Sequence, residues 1–454
     1  MSTSSGKRIS QVADKAGRRL AVTYRPIAEL KLDPNNPRDH TPRQIKQIAR
    51  SIYEFGFTMP ALIDADDNVI AGHGRILAAL QLGLTEVPTI CIEHLSKPKL
   101  KALQIADNRL TENSSWNSRL LGEHFKFLSE LELDFDLEVT GFTMGEIDIS
   151  IEGLTKPPED NEPADALPEM QTGASVTRTG DRYLLGDSVV VCGDALDETS
   201  YQHLMRGERA AMAFVDPPFN CPIQGHVSGL GAIRHREFAM GCGEMNSDQF
   251  GAFLTRIFSL LVRYSLDGAI HFICMDWRHM VEVLAAGAQV YTELKNLCVW
   301  VKNHTGMGAF YRSRHELIFV YKHGRSQHRN NIMLGKYGRD RTNVWSYPSP
   351  RTLSEEGNLL GMHPTPKSVR MVADAILDCT SRGDIVLDSV LGSGTSVIAA
   401  ERTGRRCFGL ELDPLYVDTI VRRWQRYTGG QAVHAESGRP FDELEAEAEA
   451  RDAG

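Results

Sequence analysis

The sequence predicts an α/β protein in two parts, and three observations carry that prediction. Residues 383–388 read as a turn and a short buried strand, 396–403 as a helix and 407–411 as a second strand. Together they make a βαβ unit with a Gly-rich first turn. The apolar run Ala210–Val215 stops at Asp216-Pro217-Pro218-Phe219, as a buried strand does when it hands an acid to a stiff loop. Residues 27–92 alternate short apolar runs with helical spacing, and a stretch rich in Pro, Glu and Asp (155–172) separates them from the rest. The C-terminal part should be a doubly wound, mostly parallel sheet with its ligand at the carboxyl ends of the strands. The smaller N-terminal part should be α/β as well.

In chain order, residues 1–24 carry no apolar h-region, so they are expected to be flexible and not a secretory signal. Residues 25–116 form the first unit. Residues 27–32 lead into Asn36-Pro37-Arg38, and Pro42–Phe55 sets Ile45, Ile48, Ala49 and Ile52 on one helical face. Ala61–Ile63 and Val69–Ala71 read as strands about an Asp66-Asp67-Asn68 turn. Gly72-His73-Gly74-Arg75 then opens a helix through Leu82, and residues 87–92 supply a further strand. Glycines and an arginine at a helix start suit a phosphate or nucleotide cradle, and the same spacing suits a structural turn. Residues 117–154 are expected to be a helical extension, 155–175 a linker, 176–428 the second domain and 429–454 an acidic tail with no catalytic role.

Within the second domain, the strand 182–191 leads to Asp194, and Ala210–Val215 leads to Asp216. Later strands are 269–275, 294–301, 317–322, 385–387 and 407–410. Two prolines fix φ and stiffen the loop after Asp216. The Asp216 carboxylate and the Pro217 carbonyl can then accept both hydrogens of a flat exocyclic amine, while Phe219 offers a face for a heterocycle. That is a pocket for the amino group of a base. Gly392 and Gly394 allow close backbone approach, and Glu411 follows about 20 residues after the turn, where such folds hold a ribose.

The net charge of −9, from 50 basic and 59 acidic residues, is unevenly distributed. Basic residues gather between Lys302 and Arg341, interleaved with Tyr311, Tyr321, Tyr337 and Trp345, a composition that suits phosphate and base contacts. A solvated basic face has the same composition. Arg312, Arg314, Arg339, Arg341 and Asn343 are the candidate DNA contacts, and residues 324–362 the candidate recognition segment. The loop after Phe219, with His226, could close over a base. The eight cysteines contain no CxxC pair, so neither zinc nor a disulfide framework is indicated, and a reducing cytoplasm is expected. No stretch is apolar enough to span a bilayer.

These motifs resemble the circularly permuted amino-group DNA methyltransferases that use S-adenosylmethionine, over roughly residues 180–427. The resemblance implies a Rossmann-like methyltransferase domain. Asp216, Pro217, Pro218 and Phe219 would carry catalysis, and Asp194 would face the cofactor's adenine. Asp388, Gly392, Ser393, Gly394, Thr395 and Glu411 would bind the cofactor, with His363, Thr365 and Lys367 at its methionine end. It implies double-stranded DNA as partner, with adenine N6 favoured over cytosine N4, and leaves open a homodimer. The chain departs from the family at Asp388-Ser389-Val390, where Asp-Pro-Phe is usual, and at Phe219, where tyrosine is usual. The alternative is a non-catalytic DNA clamp built on a decayed fold. Residues 25–116 resemble the ParB/sulfiredoxin-like fold through Asn36-Pro37-Arg38, Ala71-Gly72-His73-Gly74-Arg75 and Ala106-Asp107-Asn108-Arg109. His73 stands where sulfiredoxins carry cysteine, so sulfinic acid repair is not expected. A nucleotide- or phosphate-binding accessory is expected instead.

Overall fold

The computed structural model describes residues 20–131, 133–154, 163–165, 175–220, 243–303, 305, 310–332, 339–348 and 367–452. The chain divides into two compact units, up to Thr143 and from Met144 onward.

The first unit is a four-stranded sheet in the order β1 (Val22–Pro26), β4 (Glu86–Cys91), β2 (Ala61–Ile63), β3 (Val69–Ala71), with β2 and β4 parallel. Helix α1 (Pro42–Phe55) has the expected span. Thr41 caps it by accepting from the Gln44 N–H, Pro42 starts it, and Gly56 ends it at φ +77°. Helix α2 (His73–Gln81) packs Ile76 and Ala79 onto Ile63, Val69 and Val87. Its first turn depends on Gly72, at φ +100°, where a Cβ would also press on the Ala61 Cα at 3.3 Å. Helices α3 (Lys97–Glu112) and α4 (Ser118–Ser129) follow. Residues 106–109 therefore lie inside α3.

The second unit is built on a ten-stranded sheet. Its centre is five parallel strands in the order β8 (Ser265–Met275), β7 (Ala210–Val215), β12 (Ile385–Asp388), β13 (Arg406–Glu411), β6 (Ser188–Cys192). Antiparallel strands flank this centre. Beyond β8 come β10 (His315–Lys322) and β9 (Glu293–Val301), with β11 (Val344–Ser346) parallel at that edge. Beyond β6 come β5 (Arg182–Leu185) and β14 (Val433–His434).

Side chains alternate between two cores, as strand geometry dictates. Val190, Cys192, Met212 and Phe214 pack under α9 (Val369–Cys379), α10 (Thr395–Thr403) and α11 (Pro414–Thr428). Val189, Val191, Ala213 and Val215 pack under α6 (Glu198–Met205), α7 (Ser247–Arg263) and α8 (Met280–Val290). Helix layers on both faces bury the central strands, which explains their unbroken apolar runs.

Four expectations need correction. Residues 182–191 are not one strand: Gly186, at φ +58°, folds them into the β5–β6 hairpin. The helical extension is divided, because α5 (Met144–Glu152) belongs to the second unit. There the buried Asp148 accepts from Arg405 at 2.8 and 3.1 Å and pairs with Arg382 at 3.3 Å. The linker is not featureless. Asp165 accepts from the Val369 N–H at 2.7 Å, and the Ala164 carbonyl accepts from Arg423 at 2.9 Å. The acidic tail contributes β14 and α12 (Phe441–Asp452), and Phe441 is fully buried against Tyr183. Acidic composition hid one apolar anchor.

Candidate active site

Parallel strands end on one side of a sheet. That edge collects the acids: Asp216 just after β7, Asp388 closing β12, Glu411 closing β13 and Asp194 two residues after β6. Strand β10 runs the other way, with Leu317 beside Met275, so its start brings Glu316 to the same edge. The end of β9 brings Lys302, since Val301 pairs with His315.

Towards β12 and β13 the edge forms a cradle. Glu411 accepts from the Gly392 N–H at 2.8 Å through Oε2 and from the Asp413 N–H at 2.9 Å through Oε1. Each oxygen keeps a second lone pair, the acceptor set that the two hydroxyls of a ribose diol need. The Gly193 N–H donates to the Glu411 carbonyl at 2.9 Å, which places Asp194 alongside. Asp388 accepts from the Val390 N–H at 3.1 Å and from Ser396 Oγ at 2.6 Å, so it shapes the turn from below. Gly392 and Gly394 both have positive φ, and Gly394 starts α10. Ser393 and Thr395 are buried. The Ser393 carbonyl accepts from Arg423 at 2.8 Å, and Thr395 Oγ1 donates to the Lys367 carbonyl at 3.3 Å. The Arg423 and Thr395 side chains therefore hold the turn in place. Burial pushes the carboxyls of Asp388 and Glu411 up to about 7.

Towards β7 and β10 the edge forms a charge cluster. Lys367 Nζ, just ahead of α9, donates to Asp216 Oδ2 at 2.6 Å and lies 3.0 Å from Glu316 Oε2; Glu316 is also bonded to Lys302. The order Asp216, Lys367, Glu316, Lys302 alternates in sign. The other Asp216 oxygen, Oδ1, is buried and has no hydrogen-bond partner among the described residues. Burial pushes the Asp216 carboxyl up, against the pull of Lys367. Burial also opposes ionisation of Glu316, but Lys367 and Lys302 outweigh it and hold that carboxyl at about 2. The Lys367 ammonium is held well above its usual range by Asp216 and Glu316, in spite of burial. It sits 5.5 Å over the Phe219 ring and 5.7 Å over Trp300, whose indole N–H donates to the Tyr347 carbonyl at 2.9 Å. Pro217 is buried, and Pro218 and Phe219 are half-buried.

Asn220 follows at φ +51°. Its amide donates to the Met245 carbonyl at 2.7 Å and accepts from the N–H groups of Gly243 and Met245. His226, His363 and Thr365 lie outside the described residues.

The candidate DNA contacts separate into two groups. Arg312 and Arg314 are exposed beside the charge cluster, on the hairpin between β9 and β10. Arg339 is 7% exposed and bound to Asp378 at 2.9 Å. Arg341 lies 2.9 Å from Asp378 Oδ2 and donates to Tyr347 Oη at 2.6 Å. Both are therefore corrected from DNA contacts to structural cations, because two carboxylates on α9 already neutralise them. The Asn343 side chain is exposed and donates to the Leu297 carbonyl at 3.2 Å, tying β11 to β9. Tyr321 and Trp345 of the basic stretch are core residues. Glu316 and Lys302 join the cluster around Asp216, and Trp300 packs beside it, whereas the sequence placed Lys302 only in the basic stretch. The signal for them is the antiparallel pairing of 294–301 with 317–322, which makes positions 302 and 316 neighbours.

In the first unit, Gly72, His73, Gly74 and Arg75 line a cavity of about 290 Å³ with Asn36, Arg38 and Asn108. His73 is buried and accepts from the Asp33 N–H at 3.3 Å. Burial lowers its basicity, so it acts as a neutral acceptor bracing that loop. Arg75 Nε is buried without a partner among the described residues.

Among the described residues no cluster could hold a metal, and no helix is long and apolar enough to cross a membrane. Residues 210–422 match the DNA methylase model of the N6/N4 family. Residues 210–422 are an N6/N4 DNA methylase domain. Such enzymes move a methyl group from S-adenosylmethionine to an exocyclic amine of DNA. This methylase also matches the ParB-methyltransferase HTH domain over residues 119–179. It is 42% identical over 78 residues to the ParB-like nuclease domain-containing protein YnaK of Escherichia coli (strain K12), 17% of this chain and 90% of that protein. It is 25% identical over 279 residues to DNA adenine methyltransferase YhdJ of the same organism, 56% of this chain and 87% of that protein. The solved structure of the M1.HpyAVI–SAM complex aligns over 52% of this chain and 97% of its own, at 19% identity and a TM-score of 0.38.

Proposed function

We propose that this methylase acts on adenine N6 in duplex DNA and that Asp216 is its principal catalytic acceptor. The observation that carries this reading is the asymmetry of the Asp216 carboxylate: Lys367 takes Oδ2, and Oδ1 is buried with an unused lone pair. A buried acceptor without a partner costs stability, and an incoming amine hydrogen would repay that cost. The relatedness to an adenine methyltransferase and the acidic residue in the Asp-Pro-Pro motif both favour adenine.

Glu411, Asp194 and the turn at Gly392 would hold S-adenosylmethionine, which would supply an electrophilic methyl on its sulfonium. This chain's residues do the rest. The base must leave the stack, at a cost of about a few kcal/mol. Phe219 offers it a half-buried aromatic face worth roughly 1–3 kcal/mol. Asp216 Oδ1 and the Pro217 carbonyl accept the amine hydrogens, which leaves nitrogen electron density available for in-line attack. The surplus proton leaves after transfer, so no strong base is required. Lys367 pulls Asp216 toward the anion against the effect of burial and fixes its rotation. The cavity at Gly72–Arg75 supports a phosphate- or nucleotide-binding role for the first unit.

The test is methyl transfer from labelled S-adenosylmethionine to unmethylated duplex DNA, with nucleoside analysis of the product. Asp216→Ala is expected to abolish label in N6-methyladenine. Phe219→Ala should retain activity lowered by about 5- to 100-fold. Label in N4-methylcytosine would overturn the base assignment, and normal turnover of Asp216→Ala would overturn the acceptor.

A further inference from the structure

Lys302 and Glu316, at the mouth of the β9–β10 hairpin, are both members of the charge cluster around Asp216. One more rung extends the hairpin, with the Lys302 N–H donating to the Arg314 carbonyl at 2.9 Å. The Arg314 guanidinium also donates from Nε to the Lys302 carbonyl at 2.9 Å. Beyond that rung stand Phe310 and Tyr311, 89% and 82% exposed, in edge-to-face contact with centroids 4.7 Å apart. A single exposed aromatic is ordinary, but two adjacent ones almost wholly in solvent are not. Tyr311 is five residues from Glu316. At about 3.3–3.6 Å per residue, it cannot lie far from the reacting edge.

Resting on the DNA-methylase reading above, we propose that Phe310 and Tyr311 form a wedge that enters the duplex as the target base leaves it. Flipping opens a gap between neighbouring base pairs, and apolar side chains inserted at base steps are a recurring way to hold such a distortion. Arg312 and Arg314, exposed at the same tip, suit the phosphates on either side. Their charge commits the tip to DNA, because a second copy of the same basic tip would repel it. Tyr311 of the wedge lies five residues from Glu316, which Lys367 links to Asp216, so base extrusion and placement beside Asp216 are geometrically coupled.

The experiment compares wild type with the Phe310→Ala/Tyr311→Ala double variant on two duplexes, one fully paired and one with the target base mispaired. Both side chains are exposed, so the fold should be undisturbed, and cofactor binding serves as the control. The expected result is a loss in kcat/KM of about tenfold or more on the paired duplex, and a clearly smaller loss on the mispaired one, whose base flips more cheaply. A 2-aminopurine at the target position should brighten on binding wild type and stay dark with the variant. Equal losses on the two duplexes, or no loss on the paired one, would overturn the wedge. A wild-type protein that methylates neither duplex would instead sink the methylase reading and the wedge with it.

Discussion

At the residue scale, the two ends of the site meet their ligands with different charge economies. Asp216 has a lysine in contact that pulls against burial, although burial still raises its carboxyl. Glu411 has only backbone N–H groups to stabilise its charge, and burial holds its carboxyl at about 7. Below that value it is largely protonated, and above it ionised. The anion accepts from hydroxyls more strongly, so cofactor affinity should rise between about pH 6 and pH 8 and then level off. Calorimetric titration across that range checks the sign, and Glu411→Gln should flatten the profile. A slope that persists in Glu411→Gln would move the titration to Asp388, which burial also brings to about 7.

At the element scale, the segment 339–348 shows how far a basic stretch can mislead. Arg339 and Arg341 turn inward because α9 carries Asp374 and Asp378 on its facing side. That pairing joins residues more than thirty positions apart, which no local pattern reports. The hairpin arginines Arg312 and Arg314 are instead exposed. Removing Arg312 or Arg314 is expected to lower the slope of log K against log salt by about one each. Arg339→Ala should leave that slope unchanged while lowering stability. DNA-binding isotherms at several salt concentrations separate the two.

The same contrast runs through the fold. Strands β7, β12 and β13 were legible because burial on both faces writes continuous apolar runs, and the Gly392–Glu411 cradle because its spacing is local. The cluster Lys302–Glu316–Lys367–Asp216 draws on three distant segments, and only strand pairing reveals it. The β5–β6 turn at Gly186 was hidden inside a run that reads as one strand.

At the scale of the whole molecule, the natural cut falls at residue 143, ahead of the Pro-rich stretch. Asp148 is the reason. It is the carboxylate for Arg405, whose side chain is fully buried and also bonded to Thr380 and Thr403. Removing one partner of such a pair typically costs about 3–5 kcal/mol. A fragment beginning at residue 144 should bind the cofactor with near full-length affinity. One beginning at residue 176 should unfold at clearly lower denaturant concentration, and Asp148→Ala in the full chain should reproduce much of that loss. Equal midpoints for the two fragments would show that α5 adds no stability.

The Asn220 amide has a consequence for how this architecture tolerates change. It ties the chain just after Phe219 to Gly243 and Met245, so two stretches more than twenty positions apart are held by one side chain beside the acceptor. Doubling the length of a flexible loop adds only about 0.6 kcal/mol of closure entropy. A change of length between the clasped points should therefore leave Asp216 where the chemistry needs it, and Asn220→Ala should remove that tolerance.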